Sequence, residues 1–327
     1  MTLYPRGLTG FVLSRLQAAL LTIVGTIILL FLLIKLVPGD FASVLLGPRA
    51  TPELRAQIAH DMGLDRTLIE QIWLFLSRAV TGNFGEDVIS RRPILTIVLE
   101  VLPNTLLLAA AALILSLAVG IPLGVATALR PGAWLDRIFG LVSVAFITTP
   151  SFVVSIGLLL IFSLALHWLP VSGAGDAGDP LDQLQHLILP TLALAVGWIG
   201  YISRLIRAAL LDTLSEHHVR TMRAYGVSEW RIAGKFALRL ALVPLVAILG
   251  IGLGDLIGQA VFAEIIFARP GLGSLLFNAI LNRNYPVVQA CVLVIVVIYV
   301  CANLAVDVIN GLLDPRIAHS LRHGRAA

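Results

Sequence analysis

Runs of apolar residues long enough to cross a bilayer, separated by short charged stretches, set the pattern of this chain. Leu16 to Ile34 is the first run, with Arg6 and Arg15 before it; about 20 apolar residues in helical form span the hydrocarbon core. It is too long for the apolar part of a cleaved signal peptide and no small-x-small site follows, so it is expected to remain as a span. Further runs at Thr105 to Leu129, Ile138 to Leu166, Leu187 to Ile206, Phe236 to Phe262 and Val287 to Ile309 predict five more. Thr148-Thr149-Pro150-Ser151 predicts a kink in the third, its hydroxyls capping freed carbonyls. Gly120-Ile121-Pro122-Leu123-Gly124 predicts a weakened hydrogen-bond ladder near the cytoplasmic end of the second. In the fifth, Gly250, Gly252, Gly254 and Gly258 would let neighbouring helices approach closely.

Charge fixes the sidedness. Between Arg204 and Arg239 seven Arg or Lys stand against three acids, and arginines also follow the second run (Arg130, Arg137) and the sixth (Arg316, Arg322, Arg325). The loop from His167 to His186 holds Asp176, Asp179 and Asp182 but no Arg or Lys. Cationic loops stay in the cytoplasm, so both termini are expected there, in an all-α polytopic membrane protein of six transmembrane helices. With 58% hydrophobic and 13% charged residues, an ordinary soluble domain is excluded. The net charge of +4 sits beside oily segments, which implies contact with membrane lipid and no nucleic-acid partner. Cys291 and Cys301 lie in one apolar run, roughly 15 Å apart along a helix. They cannot bridge, and no metal-ligand spacing is present.

Pro38-Gly39-Asp40 ends the first helix, and the following sixty or so residues carry both charge signs with a slight acidic excess. They read as a small helical extracytoplasmic insert. Thr51-Pro52-Glu53 has the N-cap, first-position proline and acidic first turn of a helix running towards Met62, where Gly63 stops it. A second helix is expected from Arg66 to Ala79, then a turn at Gly82-Asn83-Phe84-Gly85. The expected organisation is a cytoplasmic N-terminus and first helix (1–37), the insert (38–101), a core of five helices (102–315) with a cytoplasmic loop at about 207–239, and a cytoplasmic tail (316–327).

That loop is the densest polar segment of the second half. It predicts two short helices joined by an elbow: the first ends near Tyr225, because Gly226 takes a left-handed conformation at no side-chain cost. Ser228 and Glu229 then supply an N-cap and an acidic first turn. Its apolar positions recur every three to four residues from Leu210 to Tyr225, suited to a surface or a groove.

No catalytic residue is assigned. The Walker pattern G-x-x-x-x-G-K-[ST] is absent; at Gly234-Lys235 the hydroxyl is replaced by Phe236 and the first glycine by Glu229. Any ATP, with its Mg²⁺, must be held by another chain. Gly252-Leu253-Gly254-Asp255 matches the G-x-G-D pattern of intramembrane aspartyl proteases, but the second aspartate is missing beside Tyr201. A secondary transporter is the other rival, because of Asp255 and Asp307. A carboxylate within a span is costly unless paired or wet, so Asp255 either lines a translocation pathway or makes a helix-to-helix hydrogen bond. Gly254, Gly258, Pro150 and Ser151 are the accompanying pathway candidates.

Arg220-Thr221-Met222-Arg223-Ala224-Tyr225-Gly226, with Leu242-Val243-Pro244 following, closely resembles the coupling-loop motif of ABC-transporter permeases of the dipeptide, oligopeptide and nickel branch. Family-like blocks recur in order along the chain, among them Pro38-Gly39-Asp40, Gly63-Leu64-Asp65, Pro103-Asn104-Thr105, Pro150-Ser151-Phe152, Leu189-Pro190-Thr191, Pro270-Gly271-Leu272-Gly273 and Asp314-Pro315-Arg316. Met222, Tyr225, His217-His218 and Asp255 depart from the usual pattern. The resemblance implies a type I ABC importer permease fold, with an elbow comprising Arg220 to Gly226, Ser228 and Glu229 plugged into a cytoplasmic ATPase. It also implies a second homologous permease, two ATPase subunits, and a substrate-binding protein that meets the insert at Asp40, Arg49 and Asp65. Short peptides are the expected cargo; nickel, glutathione or another small solute is the alternative.

Overall fold

The computed structural model describes residues 8–36, 66–87 and 89–313. The expected helix from Thr51 to Met62, the Asp314-Pro315-Arg316 block and the tail lie outside them. Ten helices form the described chain: α1 (Leu8–Leu36), α2 (Leu68–Val80), α3 (Ile94–Leu129), α4 (Trp134–Thr148), α5 (Ser151–Leu158), α6 (Pro180–Leu214), α7 (His217–Ala224), α8 (Leu238–Ile266), α9 (Leu272–Leu281) and α10 (Tyr285–Leu313). The helix α5 continues as π-helical turns (Leu159–Ala165). A single turn (Glu229–Arg231) and further π-helical turns (Ile232–Ala237) lead into α8. Among the described residues five helical stretches are long and apolar enough to cross a membrane, and the bent pair α4 and α5 makes a sixth.

Several boundaries differ from those the hydropathy suggested, because hydropathy marks where solvent begins rather than where the backbone ladder ends. α3 starts at Ile94 and runs through Pro103 and Pro122 to Leu129. The helix is unbroken through Gly120 and Gly124. A Cβ on Gly124 would meet the Ser203 carbonyl at 2.7 Å and Ile206 at 2.8 Å, so this face is where α6 packs against α3. α6 begins seven residues before the expected span because Asp179 caps it, accepting from the Leu181 and Asp182 N–H groups at 3.0 and 3.2 Å, with Pro180 first in the helix. It then passes Pro190 and continues to Leu214, into the charged loop. The expected kink near Pro150 is a 102° break between α4 and the α5 segment. Thr148 and Thr149 donate their hydroxyls to the Val144 and Ala145 carbonyls at 2.9 and 2.7 Å, back onto the last turn of α4 and not to carbonyls freed by the break, since the Ala145 carbonyl also accepts the Thr149 N–H at 3.0 Å.

The chain divides into two compact units, residues 1–103 with 271–301 and residues 104–270 with 302–327. In the first, Ile27 and Phe31 of α1 meet α2, with the Phe31 and Phe75 rings 5.7 Å apart. A capping box at Thr67 and Glu70 starts α2. A second cluster buries Ile94, Val98, Leu272, Ala279, Val288 and Cys291, and burial pulls in α9, an apolar helix too short to span. Buried Asp87 orders the approach to α3 by accepting from the Ser90 N–H at 2.8 Å and from the Asn284 amide.

In the second unit α6 packs against α4, α5 and α8. One cluster joins α6 to α8 around Leu194, Leu256 and Ala260; the other gathers Ile202, Ile206, Leu210, Leu214, Val219, Ile232 and Ala233 at the cytoplasmic end. Glu264 is an anchor, fully buried: Thr105 donates to its carboxylate at 2.5 Å and the Arg269 N–H to its carbonyl at 2.8 Å. Burial pushes the Arg269 guanidinium below its ordinary value, opposed by the nearby Glu264 charge.

Candidate functional site: an exposed elbow and a cavity

The elbow follows from one glycine. Gly226 has φ +77°, and the helix α7 before it ends in a complete Schellman motif: the Val227 N–H donates to the Met222 carbonyl at 3.1 Å, the Gly226 N–H to Arg223 at 2.9 Å. No atom lies within 4 Å of a Cβ built on Gly226, so the requirement for glycine is conformational alone.

Across this turn the Arg223 guanidinium grips Glu229 with both ends of the fork, Nε to Oε1 at 2.6 Å and Nη2 to Oε2 at 3.1 Å. The pairing holds the Glu229 carboxyl below its ordinary value and raises that of Arg223. Arg223 Nη1 also reaches the Leu214 carbonyl, at the end of α6. Ser228 occupies the N-cap position, but its hydroxyl makes no capping bond. The elbow has three helical pieces rather than two, since α6 runs on to Leu214 before α7 begins.

Val219 roots α7 in the second unit. It is fully buried, with Met222 and Val227 half-buried against the same cluster. Arg220, Thr221, Ala224, Tyr225 and Ser228 are left facing solvent, Tyr225 being 84% exposed. Trp230 is 63% exposed beside them; a large aromatic on the polar side of the loop was the available signal for it. Asp136 and Arg207, 71 residues apart, clip α4 to α6 nearby, Arg207 Nε donating at 2.6 Å and Nη2 at 2.8 Å. The Asp136 carboxylate also accepts from the Gly132 N–H at 2.8 Å.

The second feature is a cavity of about 670 Å³ lined by α4, α5, α6 and α8. Pro150 and Ser151 stand at the break between α4 and α5, Asp255 on α8, and the structure brings all three into this lining. Asp255 is exposed and accepts from Gln259 Nε2 at 2.5 Å, one helical turn on. Trp198 and Tyr201 stack edge to face at 5.6 Å on α6, and Phe152 approaches Phe262 at 6.0 Å. The sequence reading missed these aromatics and Gln259, although Gln259 sits at the helical neighbour position of Asp255. The lining includes neither Gly254 nor Gly258, and Gly258 faces open space. Of the other glycines of that span, Gly252 lies against the Trp198 ring and Gly250 against Asn303 and Val306. Asp255 is the carboxylate of this lining, and no second one stands beside it there. Asp40, Arg49 and Asp65 lie outside the described residues.

Residues 120–319 match the family described as the binding-protein-dependent transport system inner membrane component, and residues 8–109 match that family's N-terminal region. The chain belongs to this family. It is an ABC importer permease subunit and a multi-pass membrane protein. The permease is 36% identical over 310 residues to a probable peptide ABC transporter permease of Sinorhizobium fredii, covering 94% of this chain and 99% of that one. It is 35% identical to a di/tripeptide transport system permease of Pseudomonas aeruginosa, over 95% and 99% of the two chains. To a glutathione transport system permease of Escherichia coli the identity is 34%, with the same coverage. Among solved structures the permease resembles a chain of the MetNI methionine ABC transporter in an inward-facing conformation, at 21% identity, with TM-score 0.57 over 67% of this chain and 96% of that one. That likeness speaks for the fold.

Proposed function

We propose that this permease forms half of a pathway for short peptides across a bacterial inner membrane, with the elbow around Gly226 as the place where ATPase subunits push. The observation that carries the reading is the elbow itself: a one-glycine turn, clamped by Arg223 and Glu229, rooted by Val219, whose remaining face is offered to solvent. ATP and Mg²⁺ belong to the ATPases. A second, homologous permease supplies the other wall of the pathway, and an extracytoplasmic binding protein delivers cargo. Peptide names on the relatives support the cargo class; the glutathione relative extends it to a γ-linked tripeptide. Asp255, Pro150 and Ser151 would line the path.

The test is reconstitution in vesicles with purified partners and a labelled tripeptide. ATP-dependent uptake is expected with all subunits present and none with this chain alone. A permease that pumps by itself, or uptake driven by a proton or sodium gradient without ATP, would overturn the reading.

A further inference from the structure

The cavity around Asp255 does not end at Tyr201. On α6 the residues Gly197, Tyr201, Arg204 and Ala208 follow at intervals of four, three and four, one stripe along a helix. On α4 the residues Arg137, Gly140, Val144 and Ile147 follow at intervals of three, four and three, again one stripe. Gly197, Tyr201 and Ile147 line the cavity already described. Arg204, Ala208, Arg137, Gly140 and Val144 line a second hollow of about 630 Å³, with Asp136 and Arg207. Tyr201 and Ile147 of the first hollow are thus one helical turn from Arg204 and Val144 of the second, so the two hollows follow one another along α4 and α6 as a groove.

Its two ends carry opposite charge. Asp255 is the carboxylate of the upper reach. In the lower reach Asp136 is neutralised by the Arg207 fork, which leaves the exposed guanidinium groups of Arg204 and Arg137, for which no ion pair is found among the described residues. The level of Asp255 follows from Gly252, which lies against Trp198. Asp255 is three residues beyond Gly252, and Arg204 six beyond Trp198 on the antiparallel helix, a separation of about 14 Å along the groove at 1.5 Å per residue. An extended arginine side chain closes several ångströms of that. The remainder suits a peptide of roughly three residues at about 3.4 Å each.

We propose that this groove takes a short peptide lengthwise as a zwitterion, its ammonium at Asp255 and its carboxylate at Arg204, with Arg137 strengthening the positive end. The inference rests on the peptide reading above and adds to it an orientation and a specificity residue. Arginine suits the role because its planar fork matches a carboxylate.

The experiment compares trialanine with trialanine amide, by direct binding to the solubilised complete transporter without its binding protein and by uptake in vesicles. The Arg204→Gln variant should weaken binding of trialanine about 10-fold while leaving the amide within about twofold, and Arg204→Lys should restore most of the loss. Asp255→Asn should discriminate between trialanine and its N-acetyl form in the same way. Equal weakening of acid and amide by Arg204→Gln, or no effect on either, overturns the proposal. Equal loss of uptake that tracks the anionic-lipid content of the vesicles overturns it too and assigns the basic end to lipid headgroups. A wild-type transporter that takes up a metal chelate but neither binds nor imports trialanine or any other short peptide removes the peptide reading itself, a result distinct from a failed Arg204 comparison.

Discussion

Arg223 and Glu229 are joined by two hydrogen bonds across the left-handed turn at Gly226, so the side chains that begin and end the elbow lock the one backbone conformation that only glycine takes easily. Both are about half exposed. The fork therefore acts on the shape of the turn more than on global stability.

Replacing Gly226 by valine should abolish ATP-driven uptake while the protein still inserts. The left-handed region costs an ordinary residue about 1–2 kcal/mol, and more when the side chain is β-branched. Nothing nearby would clash, so Gly226→Asn should retain a good part of the activity. Uptake assays beside immunoblots of the membrane fraction decide it, and normal transport by the valine variant would count against the coupling role.

Acid should loosen the elbow before it unfolds the bundle. Arg223 depresses the Glu229 carboxyl, so the fork's contribution is fully present above the ordinary carboxyl value of 4.5 and is lost as pH falls through the lower folded value. Hydrogen exchange at the Gly226 and Val227 amides should rise below about pH 4.5. Glu229→Gln should show faster exchange already at neutral pH, without the acid step, and the charge-swapped pair Arg223→Glu with Glu229→Arg should recover protection.

Gly124→Ala should lower stability by about 1–3 kcal/mol, because its Cβ would sit 2.7 Å from the Ser203 carbonyl, part of a backbone that yields little. Gly140→Ala, with nothing within 4 Å, should be close to neutral. Thermal unfolding in detergent compares the two, and equal midpoints would show that α3 and α6 do not meet as described.

Asp255→Leu should separate stability from transport. The carboxylate is exposed and bonded only to Gln259 among the contacts described, so unfolding should shift by less than about 0.5 kcal/mol. Uptake of peptides with a free amino terminus should fall sharply. A variant that unfolds readily instead would mark Asp255 as a packing residue.

The spans and the elbow were legible because both depend on local chemistry. Apolar runs report their own solvent, and Gly226 with its preceding helix reports its own turn. Other features needed the third dimension. Asp136 and Arg207 are 71 residues apart and nothing in either neighbourhood announces the other. The ten residues of α9 carry no length signal, since they neither span nor show a polar face strong enough to mark a surface helix. The ends of α3 and α6 ran past the apolar runs because a hydrogen-bonded ladder continues through charged residues as readily as through leucines. In the cavity only Asp255, out of place in an oily run, and the Pro150 break stood out beforehand; Trp198, Phe152 and Phe262 looked like any other bilayer-facing aromatics.

The uninterrupted course of α6 has a mechanical corollary. From Tyr201 in the cavity wall to Leu214, whose carbonyl Arg223 touches, the helix is one rod roughly 20 Å long with no glycine or proline in it. A stiff rod transmits a sideways displacement as tilt instead of absorbing it. Leverage applied at the Leu214 end would thus reach the aromatic wall of the cavity as a tilt of the whole rod, with no need of a relay of small side-chain shifts.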